Sequence, residues 1–322
     1  MATPLRRFAH DLVALTKPGI VRMAVLMAAG GAMLAHHSQR GGQGAVASRA
    51  ELGVDGGLAA AELAASAAGG VPWLALLTAC IGTALAVASA NVFNQWWERD
   101  GDAAMARTRR RPLPAGRLSA PLALWFAWVL GAAGLAVFVL GSNVVAAGLA
   151  VLAIAGYVLI YTPLKRISPL ALPIGALPGA MPPLLGWAAI TGGVEPGGLA
   201  LFAILVVWQM PHFLAIALFR KREYAAAGIR TVPVVYGDAM AKIEAVAWAL
   251  LLVPVSLLLA PLGVAGPIYT WSAFALGMAF VGWAFTGLDD RAGDRWARGF
   301  FVASLLYLPA LVLALGLDVL LS

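Results

Sequence analysis

Charge is what this chain has least of. Of its 322 residues, 11% are charged and 61% are hydrophobic, whereas a soluble domain carries about a quarter charged residues. That scarcity excludes an ordinary water-soluble globule and argues for an integral membrane protein. Cysteine is almost missing as well. The single Cys80 sits inside an apolar run, so no intrachain disulfide and no cysteine-based metal site can be built; it reads as a small buried hydrophobe. Histidine is equally sparse, and His10, His36 and His37 fall near the start or in a loop-like stretch with no chemistry to assign. The beginning, "MATPLRRFAHDLVALTKPGI", is basic but has no apolar stretch ending in a small-residue cleavage site, so no cleaved signal peptide is expected.

What the chain does have is apolar runs near the roughly 20 residues that cross a bilayer core. Read as helices there are nine: Ile20–Ala35, Val71–Trp97, Leu118–Leu140, Val144–Tyr161, Leu172–Ile190, Gly198–Phe219, Ile243–Pro261, Tyr269–Leu288 and Gly299–Leu321. The net charge of +7 would suit nucleic acid, but its distribution says otherwise. With the N-terminus placed in the cytoplasm, 20 of the 22 Lys and Arg residues fall on inward segments, leaving only Arg40 and Arg49 outside. That asymmetry is the positive-inside signature. The expected architecture is an all-α polytopic membrane protein forming one domain over 1–322, with its C-terminus outside and no nucleic-acid partner. Residues 36–70, rich in Ala and Gly with Glu51, Asp55 and Glu62, read as an outward loop.

Against this background the stretch "NQWWERDGDAAMARTRRRP" (94–112) is conspicuous. Asn94, Glu98 and Asp102 are spaced by four, which lines one helix face. A carboxamide and two carboxylates suit Mg²⁺, a hard ion held by one or two carboxylates together with substrate phosphates. Arg107 and Arg111 repeat the spacing, and guanidinium groups grip phosphate oxygens in a fork. "YTPLKR" adds Lys165 and Arg166 after the fourth run, and the loop after the sixth adds the acid Glu223. Each also has a plainer reading, with acids solvated at the membrane edge and arginines holding topology. Ionisable groups this close to a bilayer are usually functional, so the residues alone leave both open. Trp96 and Trp97 read as interface anchors.

These residues resemble a known signature. "NQWWERDGDAAMARTRRRPLP" is similar to the first Asp-rich element of the UbiA superfamily of intramembrane prenyltransferases, and more narrowly to its heme O synthase (protoheme IX farnesyltransferase) family. "LTKPGI", "YTPLKR", "PIGALPGAMPPLLGW", "WQMPHF" and "EYAAAGI" follow in the family's order, from residue 15 to about 238. The resemblance implies nine helices around a central cavity that opens to the cytoplasm and to lipid. It implies transfer of a farnesyl group from farnesyl diphosphate to a vinyl group of heme B, with water addition, giving heme O.

Carried over, Asn94, Glu98 and Asp102 would hold Mg²⁺ and diphosphate. Arg107, Arg111, Lys165 and Arg166 would bind diphosphate oxygens, and Glu223 would supply the second motif's acid. His212, Trp208 and Tyr161 are candidate heme contacts. Heme B is then a substrate, not a resident cofactor. The bilayer of a cell inner membrane is the setting, with the site toward the cytoplasm. The downstream heme-modifying enzyme or oxidase assembly factors are partners by family logic. Two departures stand out: Glu98 occupies a position where much of the family has Asp, and "GIRTVP" replaces the usual G-I-P-M-L-P. Arg222 or Arg230 is then an alternative source of charge compensation. Competing readings are a UbiA-type enzyme with another acceptor, such as a quinone precursor, and a non-enzymatic transporter.

Overall fold

In lipid every backbone N–H and C=O must find a partner within the chain, so long apolar runs become helices. The computed structural model describes residues 4–51, 72–105 and 108–321, with the backbone alone for 41–51. Among the described residues it is all-helical, without a strand, and nine helices are long and apolar enough to span a membrane. The spanning helices are α2 (Pro18–Glu51), α3 (Trp73–Ala103), α4 (Ala120–Gly141), α5 (Val144–Leu164), α6 (Ala171–Thr191) and α7 (Pro196–Phe219), then α10 (Asp238–Leu257), α11 (Pro267–Thr286) and α12 (Asp294–Leu321). The helix α1 (Pro4–Thr16) precedes them, and the short α8 (Lys221–Ala226) and α9 (Val232–Val235) lie between α7 and α10.

Two of the boundaries that differ from expectation bear on the outward loop and the site. The first helix continues through Glu51, so residues 36–51 are not loop. Nothing stops the helix there, because no proline occurs between Pro18 and Pro72. The rest of the expected outward loop, 52–70, lies outside the described residues. The second run continues to Ala103, so the whole Asn94–Glu98–Asp102 series is helical.

With lipid tails as apolar as leucine, helices associate through close packing of small residues. Helices α2 and α6 cross where Gly31 meets the Pro183 carbonyl and Gly186 meets the Ala28 carbonyl; a Cβ on either glycine would overlap that backbone. Helices α3 and α4 meet at Ser89, whose hydroxyl donates to Ala127 O at 2.8 Å, with Gly131 opposite. Helices α7, α10, α11 and α12 enclose a second core around Leu214, Ala245, Tyr269 and Phe300. At the end of that bundle remote from α8, buried Asp318 of α12 caps α11, accepting from Ile268 N at 3.0 Å and from Gly266 N.

Helix α1 is fastened to the bundle by its own unpaired end. The last carbonyls of a helix have no partner inside it; here Gln95 Nε2 donates to Leu15 O at 2.6 Å and Asn91 Nδ2 to Thr16 O at 3.0 Å. Asp11, buried, forms a forked ion pair with Arg117, with Nε to Oδ2 at 2.9 Å. The chain then turns through Lys17 at φ 52°, the one non-glycine residue with positive φ among those described, before entering α2.

Candidate active site

The four-residue spacing places Asn94, Glu98 and Asp102 on one face of α3, and all three are buried. A buried charge costs several kcal/mol unless it is paired, and each member of the series has a cation. Lys17 Nζ donates to Asn94 Oδ1 at 3.1 Å. Lys165 Nζ pairs with Glu98 Oε1. Arg111 Nη1 pairs with Asp102 Oδ2 at 2.6 Å. The series is also internally linked, since Asn94 Nδ2 donates to Glu98 Oε2 at 3.0 Å and to Thr162 Oγ1 at 3.1 Å.

Thr162 brings α5 into the site through an unusual turn. Residues Gly156–Tyr161 form a π-helix, a rare turn found mostly at functional sites, and the Thr162 hydroxyl donates to Tyr157 O at 2.8 Å. The turn sets the Tyr157 and Tyr161 rings 5.2 Å apart, with Lys165 Nζ 5.8 Å from the Tyr161 ring centre. Arg166 lies at the rim with its guanidinium against Gly101, where a Cβ would collide with it. The segment between α8 and α9 joins the same mouth, as Arg230 N donates to Lys165 O at 3.1 Å.

Beneath this charged layer is a half-open apolar cavity of about 100 Å³ lined by α2, α3, α5 and α6. Small side chains make the space: Ala24, Ala86, Ala90, Ala153 and Gly179 line it, with Asn91 and Tyr157 at the charged end. Ile20, half exposed, borders it at the start of α2. The expected central cavity is therefore bounded by four of the spanning helices.

The expected site residues separate into three groups. Asn94, Glu98, Asp102, Arg111, Lys165, Arg166 and Tyr161 come together; Arg107 lies outside the described residues. Glu223 is at the exposed rim on α8 and pairs with Arg220 at 3.0 Å. Its neighbour Tyr224 is within electrostatic reach of Tyr161. His212 and Trp208 belong elsewhere, at the contact of α7 with α12. The His212 ring stacks on Trp208 at 4.9 Å and leans on Phe301 at 4.8 Å. The Ser304 hydroxyl donates to Phe301 O at 2.6 Å, so its oxygen accepts from His212 Nδ1–H at 2.8 Å. Among the described residues no hydrogen bond, ion pair or ring contact joins His212 or Trp208 to the α3 series.

Lys17 was not expected. By charge count it is one more inward lysine, yet it is half-buried and holds Asn94. Burial, with Arg111 and Lys165 nearby, pushes its ammonium down to about 8. The available signal was its place in "LTKPGI", the first of the stretches that follow the family order.

The donor set can be tested for metal. Among the described residues no three His, Cys, Asp or Glu side chains gather into a metal-binding group. Two carboxylates and a carboxamide oxygen remain, and that set fits Mg²⁺, which commonly takes one or two carboxylates and completes its shell with water and substrate phosphate. A zinc-type site would need more nitrogen or sulfur ligands than are present.

A greasy chamber under a cation-lined acidic series, inside a bundle of spanning helices, is an arrangement for an anionic headgroup carrying a hydrocarbon tail. The chain belongs to the UbiA prenyltransferase family, whose model matches residues 57–306, and is a multi-pass membrane enzyme of that type. Among its relatives, the protoheme IX farnesyltransferase of Sorangium cellulosum (strain So ce56) is 51% identical over 245 residues, covering 76% of this chain and 88% of that protein. The protoheme IX farnesyltransferase of Myxococcus xanthus (strain DK1622) is 42% identical over 317 residues, covering 98% and 97%. A digeranylgeranylglyceryl phosphate synthase structure shares the fold, with TM-score 0.75 and 16% identity over 97% of this chain and 98% of that one. So does a UbiA homolog from Archaeoglobus fulgidus bound to GPP and Mg²⁺, with TM-score 0.61 and 15% identity over 95% and 99%.

Proposed function

We propose that this protein transfers the farnesyl group of farnesyl diphosphate to a vinyl group of heme B (protoheme IX), with addition of water, giving heme O and releasing diphosphate. The observation that carries the reading is the stacking of the buried Asn94–Glu98–Asp102 series and its three cations directly on the apolar chamber. The acceptor rests on the relatives above, protoheme IX farnesyltransferases that match 76% and 98% of this chain.

The residues divide the work by chemistry. Lys17, Arg111, Lys165 and Arg166 supply positive charge where the diphosphate accumulates negative charge as its bond to carbon breaks. Fixed charges of this kind, already in place before the reaction, are the strongest catalytic device a site has. Mg²⁺, held by Asn94, Glu98 and Asp102, would add Lewis-acid pull on the leaving group when bound. Arg107 and Glu223 are proposed as further contacts at the mouth. The chamber keeps water from the allylic cation, and the Tyr157 and Tyr161 rings offer it their π faces. The C1–O bond breaks with its electrons leaving on diphosphate. The vinyl π electrons form the new carbon–carbon bond, and water adds to the carbon left electron-poor beside the porphyrin, its surplus proton passing to the departing diphosphate. The Lys and Arg distribution supports a site facing the cytoplasm, with the N-terminus inside and the C-terminus outside, and a cell inner membrane is the proposed setting.

The test is product analysis. Purified protein in lipid nanodiscs is supplied with heme B, farnesyl diphosphate and Mg²⁺, and extracted hemes are analysed by mass. The expected product is a hydroxyethylfarnesyl heme. A folded protein that leaves heme unchanged while prenylating an aromatic acid would transfer the reading to another acceptor.

A further inference from the structure

Two of the three cations that meet the α3 series sit on segments with little core of their own. Helix α1, which delivers Lys17, buries Asp11 and Leu15 and exposes residues 4–10. A helix this short is marginal by itself, so its seat depends on what grips it. The segment between α3 and α4, which delivers Arg111, is a series of turns. Thr108 Oγ1 donates to Asp102 O at 2.8 Å, Arg111 N to Thr108 O at 2.9 Å and Arg117 N to Pro112 O at 2.9 Å. Arg117 joins the two segments. Its Nε donates to Asp11 Oδ2 at 2.9 Å and its Nη2 to Asp11 Oδ1 at 3.0 Å, while its Nη1 donates to Arg110 O at 3.1 Å. One planar guanidinium, with its donors in a fixed fork, thereby spans α1 and the residue next to Arg111. Asp11 lies one turn before Leu15 on the same helix face, and Gln95 and Asn91 already hold Leu15 O and Thr16 O. Those grips hold the end of α1, and Arg117 fixes its direction. Lys17 follows at once with φ 52°, a backbone conformation that a lysine keeps only where its surroundings impose it. The partners of the two delivered cations, Asn94 and Asp102, lie about 12 Å apart along α3 at ~1.5 Å per residue.

We infer that Arg117 is a positioning residue for the reaction: by clasping Asp11 and Arg110 O together, it sets Lys17 and Arg111 at the two ends of the acidic series. It acts through those two cations. The inference rests on the prenyl diphosphate reading above, but not on the acceptor. Fixed charges assist a reaction only when they are in place before the substrate arrives. A lysine on its flexible four-carbon stem meets that condition only if its backbone is held. By charge count Arg117 is one more inward arginine at an exposed position; its fork to buried Asp11 gives it this second role.

The experiment uses the full-length protein in nanodiscs. It measures the Kd of a non-hydrolysable farnesyl thio-diphosphate and the KM for farnesyl diphosphate in heme prenylation. Asp11→Asn and Arg117→Gln are each expected to weaken the donor roughly threefold, the scale of a half-exposed forked pair, with little change in kcat. Arg117→Lys, which keeps the charge but not the fork, is expected to recover part of the loss. Coupling is the decisive readout. In a Lys17→Met background Asp11→Asn is expected to add nothing, because it acts through that lysine. Arg117→Gln should keep there the part that runs through Arg111. Amine-directed labelling of Lys17 in the donor-free protein, quantified by mass, is expected to rise in both single variants. Folded variants with unchanged donor affinity, or an Asp11→Asn loss that adds in full to that of Lys17→Met, overturn the positioning role. Asp11→Asn and Arg117→Lys decide the matter if Arg117→Gln does not fold. Absence of prenylated heme with analogue affinity that still follows this pattern overturns the acceptor and leaves the clasp standing. Labelling that rises in a protein that binds no analogue overturns the prenyl diphosphate reading, and the positioning role with it.

Discussion

Asn94, Glu98 and Asp102 differ from ordinary interfacial polar groups in that each meets a cation of its own. The pairing makes them costly to alter singly, because removing one partner strands a buried charge. Asp102→Ala is expected to cut turnover by about 10²–10³-fold, the scale for losing one fixed electrostatic group, measured as heme O formed per minute by folded protein. Lys17 separates binding from architecture. Lys17→Met is expected to raise the KM for donor by roughly tenfold, as for one charged hydrogen bond, with Lys17→Arg recovering part of it; a KM unchanged in both variants would make the lysine merely structural. The α3 series was legible because four-residue spacing on a helix has only one geometric meaning. Lys17 was not, because its partner Asn94 is 77 positions away and nothing local distinguishes a lysine with a partner in the bundle from an interfacial one. The resemblance of "WQMPHF" to the family points to a different part of the bundle. It nominates His212 and Trp208 as heme contacts, and these two form a ring stack with Phe301 at the α7–α12 contact, each tied to Ser304.

At the scale of elements, hydropathy located every span but not the polar turns that prolong them. The second run was expected to stop at Trp97, yet α3 continues to Ala103, because charged residues at a helix end propagate the helix as well as apolar ones do once outside lipid. The beginnings of α10 and α12 were placed late for the same reason, since Asp238 and Asp294 open them. The π-turn of α5 had no sequence signal, because it is fixed by the Thr162 hydroxyl reaching Tyr157 O. Crossing points are equally hidden, since any glycine in a membrane run looks alike. Gly186→Val is expected to destabilise the protein by about 1–3 kcal/mol through overpacking, whereas Gly148→Val, at a glycine with open space around it, is expected to cost little. Thermal unfolding of the two variants in detergent checks the contrast.

The whole molecule is organised by sidedness. Arg109 and Arg110 are exposed, while Arg111 beside them turns in to pair with buried Asp102, so neighbouring arginines of one short segment meet different surroundings. A cysteine replacing Arg110 is expected to react with a membrane-impermeant maleimide only after cells are opened. One replacing Leu262, in the loop between α10 and α11, should react in intact cells; the opposite pattern would invert the orientation. Native Cys80 within α3 should stay unlabelled in both.

The fastening of α1 also has a consequence for synthesis. Asp11 and its partner Arg117 are 106 residues apart, which at translation rates of 5–20 residues per second separates their emergence by roughly 5–20 s. The carbonyls of Leu15 and Thr16 wait almost as long for Gln95 and Asn91. The first helix made is therefore among the last to be seated in this region, and the nascent chain carries Lys17 away from its final position until α3 has been inserted. A cysteine pair at positions 11 and 117 is expected to cross-link in released chains and in long ribosome-bound ones, but not in chains halted before Arg117 has left the ribosome. Seating of α1 and of Lys17 is thus timed by the ribosome.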